Sequence, residues 1–354
     1  MLAWVRTSDE GFILKRHGHL FEQAFTHDNL VQAFHDAAKS KRGRRGCFDF
    51  EKHLAINIKE LHTELHSGNY HPKPYFTFTI YEPKERVIFA PAFRDCVVQH
   101  AIYRIISPIF EVDFIDQSFA CRIGFGTHKA ADYAQHALQQ VPSDSYTLKL
   151  DIRKFFYRID RIVLKTLIEK KIKDQRMVRV MMLFTEHGEV MGIPIGNLLS
   201  QLYALIYLNP LDHYIKRELQ IKHYCRYVDD FILFGITHKQ AVAYQQLIID
   251  YIDSNLNLEL SKSTIAKVSK GINFVGYRTW ATKRFIRRRS LYNFKQAAKH
   301  SKIDSIVSIV GHARKTHTLK YLLKTLKEKY HADYLQLPKI YRSNYQPHFA
   351  LARG

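Results

Sequence analysis

Two adjacent aspartates, Asp229 and Asp230, interrupt an apolar segment that runs from His223 to Phe234. Aspartate is a poor strand former, whereas the aromatic and branched residues on both sides favour strands. The segment therefore predicts a tight hairpin whose turn presents both carboxylates. In a strongly basic chain, the ligand that two neighbouring carboxylates favour is a divalent cation.

The charge of the chain points to a polyanionic partner. Its 354 residues include 54 Lys and Arg against 33 Asp and Glu, a formal net charge of +21, with 20 further His. These cations are interleaved with 21 Tyr and 23 Phe, a combination that suits a phosphate backbone and stackable bases. The alternative is a basic protein whose charged faces are simply solvated.

The cysteines and the hydropathy pattern predict a cytoplasmic protein. Cys47, Cys96, Cys121 and Cys225 are far apart and form no C-x-x-C pair, which favours a reducing compartment over a disulfide framework or a zinc site. We find neither a signal-peptide pattern nor an apolar run approaching the roughly 18 residues that cross a bilayer. No membrane partner is expected.

Apolar periodicity and turn residues predict an α+β chain without internal repeats. A glycine-punctuated basic loop, 39–46, interrupts helical spacing between Leu30 and His66. The further predicted helices are 95–109, 127–140, 162–184, 198–219 and 240–256, and the predicted strands are 75–82, 86–90, 146–150, the hairpin at Tyr227 and 272–277.

A third carboxylate follows an apolar strand. Asp151 ends the run Leu148-Lys149-Leu150 and precedes a polar turn. A strand-end carboxylate that meets an Asp-Asp hairpin could hold two Mg²⁺ ions about 3.5–4 Å apart, the arrangement of nucleotidyl transfer. The alternative is that Asp151 caps a helix and that Asp229 and Asp230 only form a turn.

Several motifs together resemble those of reverse transcriptases. Tyr227-Val228-Asp229-Asp230 is similar to their Y-x-D-D box, and 151–156 is similar to their first catalytic motif. The segments 94–101, 120–122 with 126–130, and 274–277 resemble, in order, the fingers motif of group II intron-like enzymes, their next block and the primer-grip hairpin.

This resemblance implies a right-hand polymerase fold with fingers, a palm built on an antiparallel sheet backed by helices, and a helical thumb. We expect residues 1–145 to form an N-terminal extension and fingers, 146–280 the palm with interleaved fingers helices, and 281–354 the thumb and a basic tail. The resemblance also implies catalysis by Asp151, Asp229 and Asp230, with two Mg²⁺ ions, or Mn²⁺, held by these aspartates and the backbone carbonyl of Ile152.

The resemblance further assigns residues to the incoming dNTP. Lys84 and Arg86 would grip its triphosphate, although either could be a solvated turn charge, and the ring of Phe156 would exclude a 2′-hydroxyl, although it could be plain core. Lys262 could act as general acid near the pyrophosphate or be a surface lysine. The complete nucleotide-binding set is Lys84, Arg86, Phe156, Ile195, Gly196, Gln201 and Lys262.

A further set would contact template RNA and cDNA. Its members are Arg94, Arg122, His128, Tyr227, Phe274, Gly276, Tyr277, Arg287 and Arg288. The basic runs 41–45 and 284–289 are interpreted in the same way, as salt-sensitive nucleic-acid contacts, or alternatively as a patch for an acidic or RNA-bound partner.

The segment 192–201 distinguishes this chain within the family. Ile195 stands where the usual pattern has glutamine, and Ser200-Gln201 replaces a Ser-Pro pair. This form resembles the reverse transcriptases of diversity-generating retroelements, which copy a template RNA with errors at adenines and assemble with a small basic accessory protein oligomer. The alternatives are a phage-defence or abortive-infection reverse transcriptase and a non-catalytic RNA-binding scaffold with the same fold.

Overall fold

The computed structural model describes residues 16–81 and 85–342. The chain divides into two compact units that interleave in sequence. The first comprises Met1–Asp116, Ile152–Gln220 and Gln246–Lys262, and the second Gln117–Asp151, Ile221–Gln245 and Ser263–Gly354. The three-domain division expected from the sequence remains a prediction.

Helices and strands alternate along both units. The helices are α1 (Leu20–Ala24), α2 (His27–Ala38), α3 (Arg45–Lys52), α4 (Leu54–Ser67), α5 (Phe93–Glu111), α6 (Thr127–Gln140), α7 (Phe155–Arg158), α8 (Arg161–Glu169), α9 (Gln175–Leu183), α10 (Leu198–His213), α11 (His238–Leu256), α12 (Arg288–Lys299), α13 (Ile303–Ala313), α14 (Thr318–Lys329), α15 (His331–Gln336) and α16 (Lys339–Arg342). The strands are β1 (Phe76–Ile80), β2 (Arg86–Ala90), β3 (Tyr146–Ile152), β4 (His223–Tyr227), β5 (Asp230–Ile236), β6 (Leu260–Lys267), β7 (Ile272–Phe274), β8 (Tyr277–Thr279) and β9 (Arg284–Ile286).

The first unit is built around α5, which packs against α2 and α10. Its apolar positions recur at helical spacing, so that Val98, Ile102 and Ile106 are completely buried. The hairpin of β1 and β2 is antiparallel, with Phe76 opposite Ala90. Helix α10 continues beyond His213 as a short π-helix, so the helix expected over 198–219 is confirmed.

The single helical stretch expected over 162–184 is instead two helices, α8 and α9. Asp174 explains the break, because its Oδ1 accepts a hydrogen bond from the Met177 N–H at 3.2 Å and so caps α9. Its Oδ2 accepts a bond from the Leu20 N–H at 2.7 Å. This second contact ties α1 to the break, which sequence periodicity does not reveal.

The second unit contains an antiparallel four-stranded sheet in the order β4-β5-β3-β6, in which β6 begins within the first unit. Helix α6 packs on β4 and β5. A buried cluster between them includes Ala134, Cys225 and Ile232. This sheet carries the candidate catalytic aspartates.

Strands β7, β8 and β9 form a separate three-stranded sheet that leads into α12 to α15. A second buried cluster joins this sheet to the helices and includes Tyr277, Phe294 and Leu322. All four cysteines are free thiols. Within the described ranges, every helix is too short or too polar to span a bilayer.

Candidate active site

A two-residue turn at the end of β4 and β5 carries the adjacent aspartates. Tyr227 pairs with Asp230, so Val228 and Asp229 form the turn. Val228 has a φ of 57°, a left-handed conformation that a β-branched residue rarely adopts. The guanidinium of buried Arg226 donates to the Val228 carbonyl at 2.9 Å, which helps to hold this strained turn.

Strand β3 brings the third carboxylate to this hairpin. Asp151 lies directly opposite Asp230 in the register of β3 and β5. Directly opposed residues of an antiparallel pair project from the same face, with Cβ atoms roughly 4.5–5.5 Å apart. The expected meeting of a strand-end aspartate with the acidic hairpin is therefore realised for Asp151 and Asp230, with Asp229 at the adjoining turn.

Lys149 is part of the same acidic site. It lies two residues before Asp151 and therefore projects from the same face of β3. Its ammonium group donates to Asp230 Oδ2 at 2.5 Å and to the Asn273 carbonyl at 2.8 Å. The lysine thus links the four-stranded sheet to β7.

Asp230 has an oxygen suited to a cation. Its Oδ1 is buried and has no hydrogen-bond partner among the described residues. Burial raises the pKa of the Asp230 carboxyl, and Asp151 adds to this effect, while Lys149 and Arg287 oppose it. An unsatisfied carboxylate oxygen beside a second carboxylate fits a hard divalent ion such as Mg²⁺.

The carboxylates do not by themselves form a closed metal cage. Among the described residues, no group of three or more His, Cys, Asp or Glu side chains is arranged to hold a metal ion. Mg²⁺ is usually held by one or two carboxylates together with waters and substrate phosphates, and the metal site expected at the three aspartates remains a prediction.

In the first unit, the segment around Ile195 is fixed against β2. The Phe89 N–H donates to the Ile195 carbonyl at 2.7 Å. Gly196 has a φ of 121°, and a Cβ at this position would lie 2.9 Å from the Phe89 carbonyl oxygen. The half-buried side chain of Ile195 is therefore attached to a backbone with little freedom.

The same segment is also fixed against the start of α7. The Ile193 N–H donates to the Phe156 carbonyl at 2.8 Å. A Cβ on Gly192 would lie 2.8 Å from that carbonyl oxygen, so close approach requires glycine there. Phe156 is half-buried, with its ring centroid 5.4 Å from that of Phe155. These contacts bring Phe156 and the Ile195 segment together within one unit.

The other predicted nucleotide-binding residues of the first unit are more scattered. Arg86 begins β2 and is exposed, as are Gln201 on α10 and Lys262 on β6. Lys84 lies outside the described residues. Among the described residues we find no hydrogen bond or ion pair that links Gln201 or Lys262 to Ile195. The roles of these two residues remain predictions.

The predicted primer-grip residues are largely structural. Phe274 and Tyr277 are buried, and the Tyr277 ring stacks on His312 with centroids 4.2 Å apart. The Tyr277 hydroxyl lies 3.2 Å from His128 Nδ1. A Cβ on Gly276 would lie 2.8 Å from His312 Nε2. These side chains hold the β7–β8 hairpin against α6 and α13. Any contact with the primer would therefore be made by the turn of this hairpin.

The predicted cationic contacts fall into two groups. Arg94 is held by Glu64, with Nη2 2.5 Å from Oε2, and Arg122 lies over the Phe125 ring at 4.0 Å from its centroid, so both are engaged in packing. Arg287 acts electrostatically on Asp230, and Arg288 is exposed.

The interpretation of the basic run 284–289 as a nucleic-acid surface is wrong for Arg284. This side chain is 2% exposed and donates to Asp132 at 2.8 Å, to Gln135 and to the Ala131 carbonyl. Arg284 therefore anchors β9 to α6.

Comparison with known proteins decides the family. A model of the family "Reverse transcriptase (RNA-dependent DNA polymerase)" matches residues 72–279, which is more than half of the chain. The chain belongs to the reverse transcriptase family. Its fold class is therefore the right-hand polymerase fold, in agreement with the antiparallel sheet and backing helices of the second unit, and its enzymatic class is RNA-directed DNA polymerase. Members of this family use divalent metal ions.

The reverse transcriptase resembles two curated bacterial proteins. It is 26% identical to Protein YkfC of Escherichia coli (strain K12) over 68% of this chain and 74% of that protein. It is 30% identical to the group II intron-encoded protein LtrA of Lactococcus lactis subsp. cremoris over 47% of this chain. This second match spans only 28% of LtrA.

Among solved structures, the chain is similar to telomerases. Telomerase from Candida albicans in complex with a telomeric RNA fragment matches with a TM-score of 0.48 and 13% identity, over 74% of this chain and 57% of that chain. Apo telomerase from Candida tropicalis matches with the same TM-score of 0.48 and 13% identity, over 75% of this chain and 60% of that chain.

Sequence reasoning overlooked two residues of the acidic site, Lys149 and Arg226. The period of two along β3 could have identified Lys149, because residues 149 and 151 of a strand share a face. Nothing in the sequence distinguishes Arg226 from the many other arginines, since its significance depends on burial beneath the Val228 turn.

Proposed function

We propose that this reverse transcriptase makes error-prone cDNA for a diversity-generating retroelement. Ile195 carries the proposal. In the resemblance to these enzymes, an apolar side chain replaces the glutamine of the usual motif. The backbone of Ile195 is held by the Phe89 N–H at 2.7 Å, and its neighbour Gly196 is closely packed against the same residue.

The physical consequence is weaker discrimination between correct and incorrect nucleotides. A polar side chain at this position could donate or accept a hydrogen bond, and isoleucine can do neither. Losing one such bond changes discrimination by about 0.5–1.5 kcal/mol, which is severalfold to tenfold in an error ratio. The backbone of this segment is held by hydrogen bonds to Phe89 and to Phe156. The chemical nature of the side chain at position 195 would therefore determine the difference in nucleotide discrimination.

We further propose that Asp151, Asp229 and Asp230 perform the chemical step. Asp151 and Asp230 share one face of the sheet, and the Asp230 Oδ1 has no hydrogen-bond partner among the described residues. Two divalent ions bound there, with the Ile152 carbonyl as a further ligand, would activate the primer 3′-hydroxyl and neutralise the leaving pyrophosphate. Lys149 donates to the other oxygen of this carboxylate, Asp230 Oδ2.

The other assignments are part of the same proposal. Arg86 is exposed on β2, where a guanidinium can bind phosphate in a bidentate manner. Phe156, fixed beside the Ile195 segment, would select dNTPs by excluding a 2′-hydroxyl. Template RNA is copied with the help of a small basic accessory protein oligomer. The cytoplasm is the proposed location.

Sequencing of cDNA tests the low-fidelity proposal. The wild-type enzyme is incubated with dNTPs, Mg²⁺, its cognate RNA and the accessory protein, beside Ile195→Gln and the control Ile162→Gln, whose isoleucine is 78% exposed on α8 of the same unit. We expect Ile195→Gln to lower misincorporation opposite template adenine severalfold to tenfold, with wild-type errors in the control.

Unchanged errors in Ile195→Gln would refute the role of Ile195. Faithful wild-type cDNA would refute the mutagenic function and favour the phage-defence alternative. A template repeat beside a variable repeat that differs at adenines, in the neighbouring DNA, would provide independent support.

A further inference from the structure

The first unit contains a cavity that has no assigned ligand, although Gly196 at its edge belongs to the predicted nucleotide-binding set and Lys41 and Arg44 belong to the basic run 41–45. Its volume is about 400 Å³, within the roughly 300–1,000 Å³ typical of ligand sites. Four segments form its walls: the basic loop before α3, the end of β2, the first turns of α5, and the segment from Gly196 to Leu198. The cavity therefore begins at the segment that carries Ile195.

The walls are apolar and the rim is cationic. Ile88, Phe93 and Leu198 contribute apolar surface, while half-buried Lys41 and exposed Arg44 contribute positive charge. No carboxylate is among the described residues that line the cavity. A ligand with a flat apolar body and an attached anion matches these walls.

His100 supplies a neutral polar group to the same wall. Burial, together with the charge of Lys41, lowers the pKa of His100 to about 4. The ring is therefore uncharged at neutral pH and offers one hydrogen-bond donor and one acceptor. Such a group can bind the edge of a heterocycle without adding charge.

An exposed aromatic surface leads to the cavity along the β1–β2 hairpin. Phe76 is 72% exposed and Phe78 is 43% exposed, with ring centroids 6.0 Å apart. Phe76 pairs with Ala90 and Phe78 with Ile88. Opposed residues share a face of the hairpin, so both rings lie on the face whose other residues, Ile88 and Ala90, line the cavity.

Exposed rings beside a cationic rim are the features of a surface that binds single-stranded nucleic acid, where bases stack on aromatic side chains and cations follow the backbone. We propose that the cavity accepts the base of one unpaired template RNA nucleotide, with adjacent phosphates at Lys41 and Arg44 and neighbouring bases on Phe78 and Phe76. The inference rests on the RNA-copying activity of the family, and it does not require that copying be inaccurate.

Affinity for a short single-stranded RNA tests this site. Gly46 lines the cavity, has an ordinary φ, and a Cβ there would lie at an ordinary 3.6 Å from Phe93 Cβ, so Gly46→Leu should fold while narrowing the cavity. We expect Gly46→Leu to weaken binding about tenfold, as the loss of one stacked base does. Thermal unfolding confirms that each variant is folded.

The charge contribution is measured by salt dependence. The double variant Lys41→Gln, Arg44→Gln should reduce the slope of log affinity against log salt by about 1.4, the value for two phosphate contacts on a single strand. Lys165→Gln is the control, because Lys165 lies outside the basic runs, does not line the cavity and pairs through its exposed side chain with Glu169. An equal reduction of the slope in the control would overturn the assignment of the rim.

Alkylation of Cys96 gives a readout that is independent of catalysis. Cys96 lines the cavity and is partly exposed, whereas Cys121 is a partly exposed thiol of the second unit and serves as the reference in the same digest. Single-stranded RNA should slow alkylation of Cys96 severalfold relative to Cys121, and a blunt RNA–DNA duplex should not.

Three outcomes would overturn the proposal: no protection of Cys96 while the oligonucleotide is bound, equal protection by the duplex, or equal protection by an acidic peptide. Faithful cDNA would refute the mutagenic function but would leave this site intact, because RNA affinity, its salt dependence and the alkylation of Cys96 do not depend on copying errors.

Discussion

The ammonium group of Lys149 lies 2.5 Å from Asp230 Oδ2, although the two residues are 81 positions apart in the chain. The same group donates to the Asn273 carbonyl at 2.8 Å. One lysine therefore places a positive charge against the Asp230 carboxylate and ties it to β7.

Replacing Lys149 should make stability depend more strongly on Mg²⁺. In Lys149→Met the half-buried carboxylate of Asp230 loses its counter-charge, which we expect to lower the free energy of unfolding by about 1–3 kcal/mol at neutral pH. Added Mg²⁺ should restore more stability to the variant than to the wild type, because the ion then neutralises the carboxylate. Thermal unfolding with and without Mg²⁺, at constant ionic strength, measures both effects.

The control is Lys165→Met, since Lys165 forms an exposed pair with Glu169 at 3.9 Å, and such pairs contribute little. An identical response to Mg²⁺ in the wild type and Lys149→Met would contradict the role assigned to Lys149.

The three aspartates should be required for DNA synthesis. Asp151→Asn and Asp229→Asn keep the size of each side chain but remove its charge, and we expect primer extension to fall at least about 100-fold, as on loss of a group that stabilises transition-state charge. Single-nucleotide extension kinetics with saturating dNTP measure this loss. Asp253→Asn, at an exposed position of α11, should retain wild-type activity.

If the wild-type protein itself shows no DNA synthesis, so that Asp229→Asn has no activity to abolish, the result would instead indicate the non-catalytic RNA-binding scaffold.

The backbone of Val228 should be strained, and this strained turn should hold Asp229 and Asp230 in position. With a φ of 57°, Val228 occupies a conformation that glycine adopts without cost. We expect Val228→Gly to raise the free energy of unfolding by up to about 1 kcal/mol, while the freer turn lowers the rate of primer extension. Denaturant unfolding and extension kinetics, measured on the same preparation, separate the two effects.

Val87→Gly is the comparison, because Val87 lies in an extended strand at 37% exposure and should lose about 0.5–1 kcal/mol. A loss of stability at Val228 as large as that at Val87 would exclude strain in the turn.

The ion pair between Asp132 and Arg284 should stabilise the second unit in a pH-dependent way. Burial alone would raise the pKa of Asp132, but the hydrogen bonds from Lys315 and Arg284 outweigh it and lower the pKa below its ordinary value. A lowered pKa stabilises the fold above the pKa of the unfolded state, and this contribution is lost as the pH falls through the folded pKa.

The Asp132 side chain is 40% exposed, so solvent screens the pair, and Asp132→Asn should cost about 1 kcal/mol at pH 7 and progressively less below about pH 4. Urea unfolding at pH 7 and at pH 3.5 measures the difference. If the loss in free energy of unfolding caused by Asp132→Asn is the same at pH 7 and at pH 3.5, the charge of Asp132 does not contribute to stability.

Local patterns along the chain were sufficient to predict the polymerase class, whereas the catalytic residues remain a prediction. The β-propensity residues on both sides of Asp229 and Asp230 predict a hairpin with the acids at its turn, because strand propensity is a local property, and β4 and β5 confirm the hairpin. The helix predicted over 127–140 coincides with α6, since periodicity and a preceding glycine both specify its start. The family match over residues 72–279 confirms the polymerase class inferred from the motifs.

Partners distant in sequence were decided only by the tertiary structure. Arg284 belongs to a run of cations that predicts a nucleic-acid surface, yet it is buried against Asp132, 152 positions away. Asp174 divides a predicted helix because its carboxylate serves both α9 and Leu20. Charge and periodicity are local properties, whereas burial and counter-charge depend on which segments meet.

The sequence by itself determined the reaction class, because chemistry requires particular carboxylates at particular spacings. The tertiary structure decided how those carboxylates are held: Asp230 opposite Asp151, Lys149 against Asp230, and Arg226 beneath Val228. The physical reason is that hydrogen bonds and ion pairs act over a few ångströms, a distance that only the folded chain creates between residues far apart in sequence.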